Sequence, residues 1–311
     1  MNLHILDTNN YLYAGSFENS VICRGVRENN SEYSAASAPI GGIRFLIKQV
    51  ARLSTPDNVV MPVFDRPPDI KREMYKSVFG GIEEYKGNRK FTKTAQRVGQ
   101  QKAYAEQILR DLGYPVQVAD GYEADDLIYT IVNMVKDEYE HIYIHTKDSD
   151  LDFLVDENVS IYPVGDDGKT ITRWNYENVV DKSHCLFCTH HLRKLCSGDT
   201  GDNIPGIGNE WAEKMDEVIP DGDYAKLGDL DLCRKYLKET ILRNPTMPAG
   251  YRVLQTFNIL APLNVPYEEI NEDEQDIDFD KLQYYLLGWN EKMDRWGLED
   301  MLKDYIDSTF E

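Results

Sequence analysis

The sequence predicts an α/β fold in which a mostly parallel sheet is flanked by helices. Three observations carry that prediction. Short apolar runs that read as strands alternate with segments whose apolar residues recur at helical spacing. Several of those runs lead straight into acids: Asp7, Asp65, and the pair Asp148 and Asp150. At 311 residues the chain can also bury the core of one large domain or two modest ones.

The elements follow in order. His4-Ile5-Leu6 reads as a buried strand ending on Asp7. Residues 16–39 are polar and small apart from Val21-Ile22 and predict a long loop or hairpin, more often functional or mobile than idle at that length. Ile43, Phe45, Leu46, Ile47, Val50 and Leu53 mark a buried helix closed by Pro56. Residues 59–64 form a second strand leading to Asp65. Pro62 inside it belongs on an edge or at a bulge, because it cannot donate to a ladder. From Arg66 to Arg110 the chain reads as helices jointed near Gly80-Gly81 and Gly87. The last of them is amphipathic through Tyr104, Ile108, Leu109 and Leu112, with Gly113 as its cap. Val116-Gln117-Val118 is a third strand, residues 141–145 a fourth and residues 159–162 a fifth. Beyond Trp174 the chain turns helical, and the acidic run 268–280 reads as an exposed linker.

A net charge of −20 argues at first against nucleic acid as a partner. Its distribution argues the other way. Residues 66–110 hold eleven Lys/Arg against five Asp/Glu, which leaves that block at +6 and the remainder at −26. This is a basic segment on an acidic body, with a solvated amphipathic helix pair as the plainer alternative. No apolar run approaches the ~20 residues of a membrane span. No secretory leader is expected, because Asp7 follows His4-Ile5-Leu6 at once. Five cysteines without framework spacing suit a reducing cytoplasm.

Glu123, Asp125 and Asp126 open a helix whose apolar residues 127, 128, 131, 132 and 135 share one face. First-turn acids gain about 0.3–1 kcal/mol each from the helix dipole, so a solvated helix start explains them in isolation. Parallel α/β sheets, however, build sites beyond the carboxyl ends of their strands. Asp7, Asp65, the Glu123 cluster and Asp148/Asp150 each lie just past one. With Asp199 and Asp202, nine carboxylates converge: Asp7, Asp65, Glu123, Asp125, Asp126, Asp148, Asp150, Asp199 and Asp202. Such crowding recruits a cation. Oxygen-only ligands select Mg²⁺ or Mn²⁺, and two such ions about 4 Å apart clamp an in-line phosphoryl transfer. Gly206-Ile207-Gly208 could cradle a backbone phosphate, although a lone G-x-G is usually only a tight turn. His184-Cys185-Leu186-Phe187-Cys188-Thr189-His190-His191 invites zinc, but its pairs lie too close for the usual ligand loop. A buried helix face with two exposed histidines is the preferred reading.

Several blocks, in order, resemble the structure-specific 5′ nuclease family: flap endonucleases, phage 5′-3′ exonucleases of the ribonuclease H type, and the 5′ nuclease domain of bacterial DNA polymerase I. They are Leu6-Asp7 with Tyr11-Leu12-Tyr13, Phe64-Asp65, Tyr85-Lys86-Gly87-Asn88-Arg89, Glu123-Ala124-Asp125-Asp126, Asp148-Ser149-Asp150, and Gly198-Asp199 through Gly208. The resemblance spans roughly residues 3–215. It implies a PIN-like catalytic domain over residues 1–175 with a helical arch at about 66–112. A helix–three-turn–helix (H3TH) region with C-terminal helices would follow over 176–311.

In that family the nine matching acids hold two Mg²⁺ or Mn²⁺ ions. Lys86 and Arg89 would lie in the arch and stabilise the scissile phosphate. Tyr85 would stack on an unpaired terminal base, with Lys90 and Lys93 adding to the nucleic-acid grip. The turn Gly206-Ile207-Gly208 would bind the duplex backbone, with a K⁺ held by its carbonyls. The expected activity is hydrolysis of phosphodiester bonds near 5′ ends, flaps or RNA primers on DNA. It would leave a 5′-phosphate and a 3′-hydroxyl and be carried out by a monomer with no membrane partner.

A PIN-like DNA-junction binder that has lost cleavage is the non-enzymatic alternative. A haloacid-dehalogenase-like phosphatase is disfavoured, because Asn9 stands where that mechanism needs a second Asp. Three departures from the family pattern stand out. Asn209-Glu210-Trp211 replaces the usual Lys and Thr or Ser after the turn, leaving Lys214 as a substitute cation; Pro62 interrupts a strand; and the 16–39 insert is long.

Overall fold

The computed structural model describes residues 1–16, 41–80, 84–90, 92–162, 191, 194–195, 197–206 and 249–291. The 16–39 loop past Ser16, the Cys/His run up to His190, Ile207, Gly208, Lys214 and the helices expected past 291 lie outside the described residues.

β1 (Asn2–Asp7) pairs in parallel with β2 (Asn58–Val63) on one side and β3 (His141–His145) on the other. β4 (Val159–Ile161) extends the sheet beyond β3, giving the order β2-β1-β3-β4. An all-parallel sheet must be covered on both faces, and the period-2 alternation of β1 shows how. Leu6 packs with Leu12 of α1 (Thr8–Ser16), Ile43 and Leu46 of α2 (Gly41–Leu53), and Ile108 and Leu109 of α4 (Lys93–Asp111). Leu3 and Ile5 pack with Leu127, Ile128 and Ile131 of α5 (Ala124–Val135). Between β2 and α4 runs α3 (Asp69–Phe79), which carries the first half of the basic block. Its Tyr75 and Val78 meet Tyr85, Ile204 and, from α6 (Ala249–Leu260), Ile259. Residues 198–206 include a small antiparallel ribbon, β5 (Gly198–Asp199) with β6 (Ile204–Pro205). No helix among the described residues is long and apolar enough to cross a membrane.

Two expectations need correction. The third strand at 116–118 is a single bridge, Val63 to Gln117, because it meets only the outer side of the edge strand β2. Pro62 is tolerated there for the same reason. Its carbonyl accepts from the Gln117 N–H at 2.8 Å, so its missing N–H also points outward, where no strand needs it. The acidic run at 268–280 is exposed in large part, yet it is pinned along that edge. Gln275 accepts from the Val60 N–H at 2.7 Å and donates to the Asn58 carbonyl at 3.1 Å, so one amide does the work of a neighbouring strand. Further along, Asp276 N donates to Gly113 O and Asp278 N to Leu112 O at 3.0 and 3.1 Å. α7 (Phe279–Glu291) then returns Leu282 and Tyr285 to the core.

Two side chains also differ from their sequence reading. Tyr104 is exposed rather than on the buried face of α4. His191 is buried, edge-on to Phe153 and Phe257.

Gly113 ends α4 with φ +82°, and a Cβ there would stand 1.7 Å from the Asp276 carbonyl. Gly113→Ala therefore combines left-handed strain with displacement of the strap. Loss of roughly 2 kcal/mol or more of unfolding free energy is expected in urea titration.

Candidate active site

The carboxyl ends of the parallel strands deliver the acids. Asp7 is the last residue of β1 and is 5% exposed. Its Oδ2 accepts from Thr146 Oγ1 at 2.9 Å and from Asn10 Nδ2, which sits one helical turn further along the chain. Asp65 follows β2 and accepts from the Ala124 N–H at 2.6 Å, at the positive end of α5. Asp125 lies in the first turn of α5. Asp148 follows β3 and accepts from the Asp150 N–H at 2.9 Å, which shapes the 3₁₀ turn Ser149–Leu154.

These four acids act on one another. Burial, then Asp65 and Asp148, push the Asp7 carboxyl up to about 7. Burial raises Asp65 despite the nearby Lys102 amine. Asp125 is raised well above the usual carboxylate range by burial, then by Asp148, Asp7, Glu123 and Asp65. Asp148 is raised by burial and Asp150.

The other five acids are paired with cations. Glu123 meets Lys86, Lys71 at 3.4 Å and the Tyr85 hydroxyl at 2.9 Å. Although burial opposes its charge, Lys71 and Lys86 hold it down at about 2. Asp126 pairs with Lys71 at 2.9 Å. Asp202 takes Arg89 at 2.6 Å, Lys86 at 3.6 Å and the Tyr85 hydroxyl at 2.9 Å. Lys194 bridges Asp150 and Asp199, the latter at 2.9 Å, and lowers the Asp199 carboxyl against the effect of its burial.

The basic loop is docked on this rim. Lys86 holds φ +59° and Asn203 holds φ +63°, conformations that side chains usually avoid. Lys86 N donates to Asp202 O at 3.1 Å, and Arg89 Nε donates to Gly201 O at 3.2 Å. Tyr85, expected to face a base, is 3% exposed and packs against Tyr75 and Ile204. Lys90, Lys93 and Gly206 are exposed.

Among the described residues, no three acidic or histidine side chains are arranged to hold a metal ion as they stand. The donor set fits a hard cation nonetheless. Its centre is all carboxylate and self-repelling, the condition that a divalent ion relieves.

Sequence reasoning passes over Lys71, Lys102, Lys194, Thr146 and Asn10. Asn10 stands three residues after Asp7, and that spacing was a usable signal. Lys71 is 55 positions from Asp126 and carries no local signal. His4 and His145, hydrogen-bonded at 3.0 Å, are held neutral by burial at about 4 and about 3.

Residues 2–184 match the family described as 5′-3′ exonuclease, N-terminal resolvase-like domain. The DNA polymerase I of Caldicellulosiruptor bescii is 31% identical over 283 residues, 88% of this chain and 31% of that one. The flap endonuclease of Escherichia phage T5 is 30% identical over 206 residues, 62% of this chain and 64% of that one. The chain thus matches about a third of the first relative's length and just under two thirds of the second's. In structure it is similar to a phage T5 protein co-crystallized with metal ions. The TM-score is 0.50 at 20% identity, covering 94% of this chain and 100% of that one, a likeness of fold.

Proposed function

This chain belongs to the 5′-3′ exonuclease family, and from that premise we propose that it is a divalent-metal-dependent nuclease acting on 5′ ends, flaps or RNA primers of DNA. Hydrolysis would leave a 5′-phosphate and a 3′-hydroxyl. The observation that carries this reading is the quartet Asp7, Asp65, Asp125 and Asp148, Asp7 buried and the other three partly buried, gathered beyond the carboxyl ends of the parallel strands and each raised by desolvation and by a neighbouring acid. Two Mg²⁺ or Mn²⁺ ions, when bound there, would supply charge stabilisation and a lowered pKa for the attacking water.

The chain's own residues do the rest. The quartet would hold the ions, joined by Glu123, Asp150, Asp199 and Asp202 as their cation partners are drawn away. Those partners are Lys86, Arg89 and Lys194. A DNA phosphate offers Lys86 and Arg89 a competing anion, so nucleic acid binding frees carboxylates at the moment metal needs them. Residues 66–112 would serve as the arch over the site, with Lys90 and Lys93 reaching the backbone. The turn beginning at Gly206 would grip the duplex, K⁺ included.

A 5′-flap oligonucleotide incubated with Mg²⁺ should be cut near the junction and left intact in EDTA. Tight binding without cutting in Mg²⁺ and in Mn²⁺ would favour the junction-binder reading instead.

A further inference from the structure

Lys71 is 4% exposed, unusual for a lysine, and lies in the first turn of α3. Its amine meets Asp126 Oδ1 at 2.9 Å and Glu123 Oε2 at 3.4 Å. Asp126 is fully buried, and both of its oxygens are taken. Oδ2 accepts from the Glu123 N–H at 3.0 Å, and Oδ1 also accepts from the Leu263 N–H at 2.7 Å. Asp126 therefore ties α3, the start of α5 and the segment after α6 into one buried junction. The charges that bear most on Asp125 are instead Asp148, Asp7, Glu123 and Asp65.

The two oxygens of Glu123 are treated differently. Oε2 is held by Lys71 and by the Tyr85 hydroxyl at 2.9 Å, both from the side of the basic segment. Oε1 is held by Lys86. When Lys86 leaves, Oε1 loses its cation while Oε2 keeps Lys71, and the capping box with Asp126 holds the Glu123 carboxylate at the start of α5. We propose that Lys71 and Asp126 form a positioning pair that orients Glu123 to offer a single oxygen to a metal ion, and that Asp126 is itself not a metal ligand. The proposal rests on the metal-nuclease reading above. It also makes α3, which carries the first half of the basic segment, the element through which movement of the Tyr85–Arg89 loop reaches Glu123.

The test is Mn²⁺ binding by calorimetry and paramagnetic resonance on the full chain, alongside steady-state flap cleavage. Asp126→Asn should bind as many Mn²⁺ ions as the unaltered protein, whereas Asp125→Asn should lose one or bind it at least about tenfold more weakly. Lys71→Met should lower kcat per folded molecule by about tenfold or more with KM for DNA little changed, and Lys71→Arg should recover most of it.

Lys71→Met strands a buried carboxylate, so the double variant Lys71→Met with Asp126→Leu supplies a folded comparison. A normal kcat in that variant would mean that the pair only stabilises the fold, and the proposal falls. Loss of one Mn²⁺ ion in Asp126→Asn would overturn it as well. Absence of Mn²⁺ binding and cleavage in the unaltered protein is a different result, and it would refute the metal-nuclease reading itself.

Discussion

Asp125→Asn is expected to cost about three orders of magnitude in cleavage rate while raising the melting temperature of the metal-free protein. The two effects share one cause. Asp125 is partly buried, and desolvation, then Asp148, Asp7, Glu123 and Asp65, raise it well above the usual carboxylate range. Without a metal it must either hold a charge among like charges or hold a proton that its chemistry does not need. An amide of the same shape removes that conflict, and each kcal/mol relieved is worth roughly 2–4 °C in a chain of this size. The same amide is a poor ligand for a hard cation, so several kcal/mol of transition-state stabilisation go with it.

Asp150→Asn is the control. It should also abolish cleavage while leaving a branched substrate bound. It relieves some repulsion of Asp148 but also removes a partner of Lys194, so its metal-free melting temperature should rise less than that of Asp125→Asn, stay level or drop slightly. Thermal melts in EDTA beside flap-cleavage rates decide the matter. An Asp125→Asn protein that melts lower, or that cuts at the original rate, would refute the account.

The metal-free protein should lose stability as pH rises from about 4 to about 7. In the unfolded chain Asp7 titrates near 3.8, and in the fold at about 7, so across that window the folded state holds a proton that the unfolded chain has released. Stability is then fully present below the unfolded value and drains away towards the folded one, by up to about 4 kcal/mol for Asp7 alone. Asp152, pushed up to about 6 by burial, Asp148 and Asp150, adds to the same slope. Glu123 has the opposite sign. Held at about 2 against 4.5 in the unfolded chain, it stabilises above 4.5 and stops doing so as pH falls through 2. The melting temperature in EDTA should therefore peak near roughly pH 4–5. Asp7→Asn should flatten the decline above that peak, and saturating Mg²⁺ should reverse it. A level profile between pH 4.5 and 7.5 would contradict the burial of this acid.

What the sequence made legible was whatever has a local period or a local partner. The short apolar run of β1 and the helical spacing in α2 and α5 forecast their burial, because both are written into neighbouring residues. The placement of Asp7, Asp65 and Asp148 followed from the rule for parallel sheets. Partnership across long separations was not legible. Val116-Gln117-Val118 has a strand's composition, but only the edge of β2 was left for it to meet. Residues 268–280 have a linker's composition, yet the Gln275 side-chain amide, and the Gln117 side-chain amide bound to the Asn271 backbone, anchor them. Tyr85 sits in a basic run, yet its ring turns into a cluster built by α3 and α6. Charge type forecast that the site is acidic. It did not say which acids would face a lysine from another element, and that division separates the quartet from the rest.

The Gln275 plug has a consequence for how the chain comes to be made. The atoms that complete the outer edge of β2 lie 217 positions after Asn58, and the N–H that completes Asp126 lies 137 positions after it. A ribosome therefore releases the sheet, and the helix start that carries Glu123, well before it releases the groups that finish them. During that interval the Asn58–Val60 end of β2 is an open template onto which a passing strand could add. Closing the longest loop last is slow, so the nascent protein spends its most exposed period with its acids already gathered and its edge still unsealed.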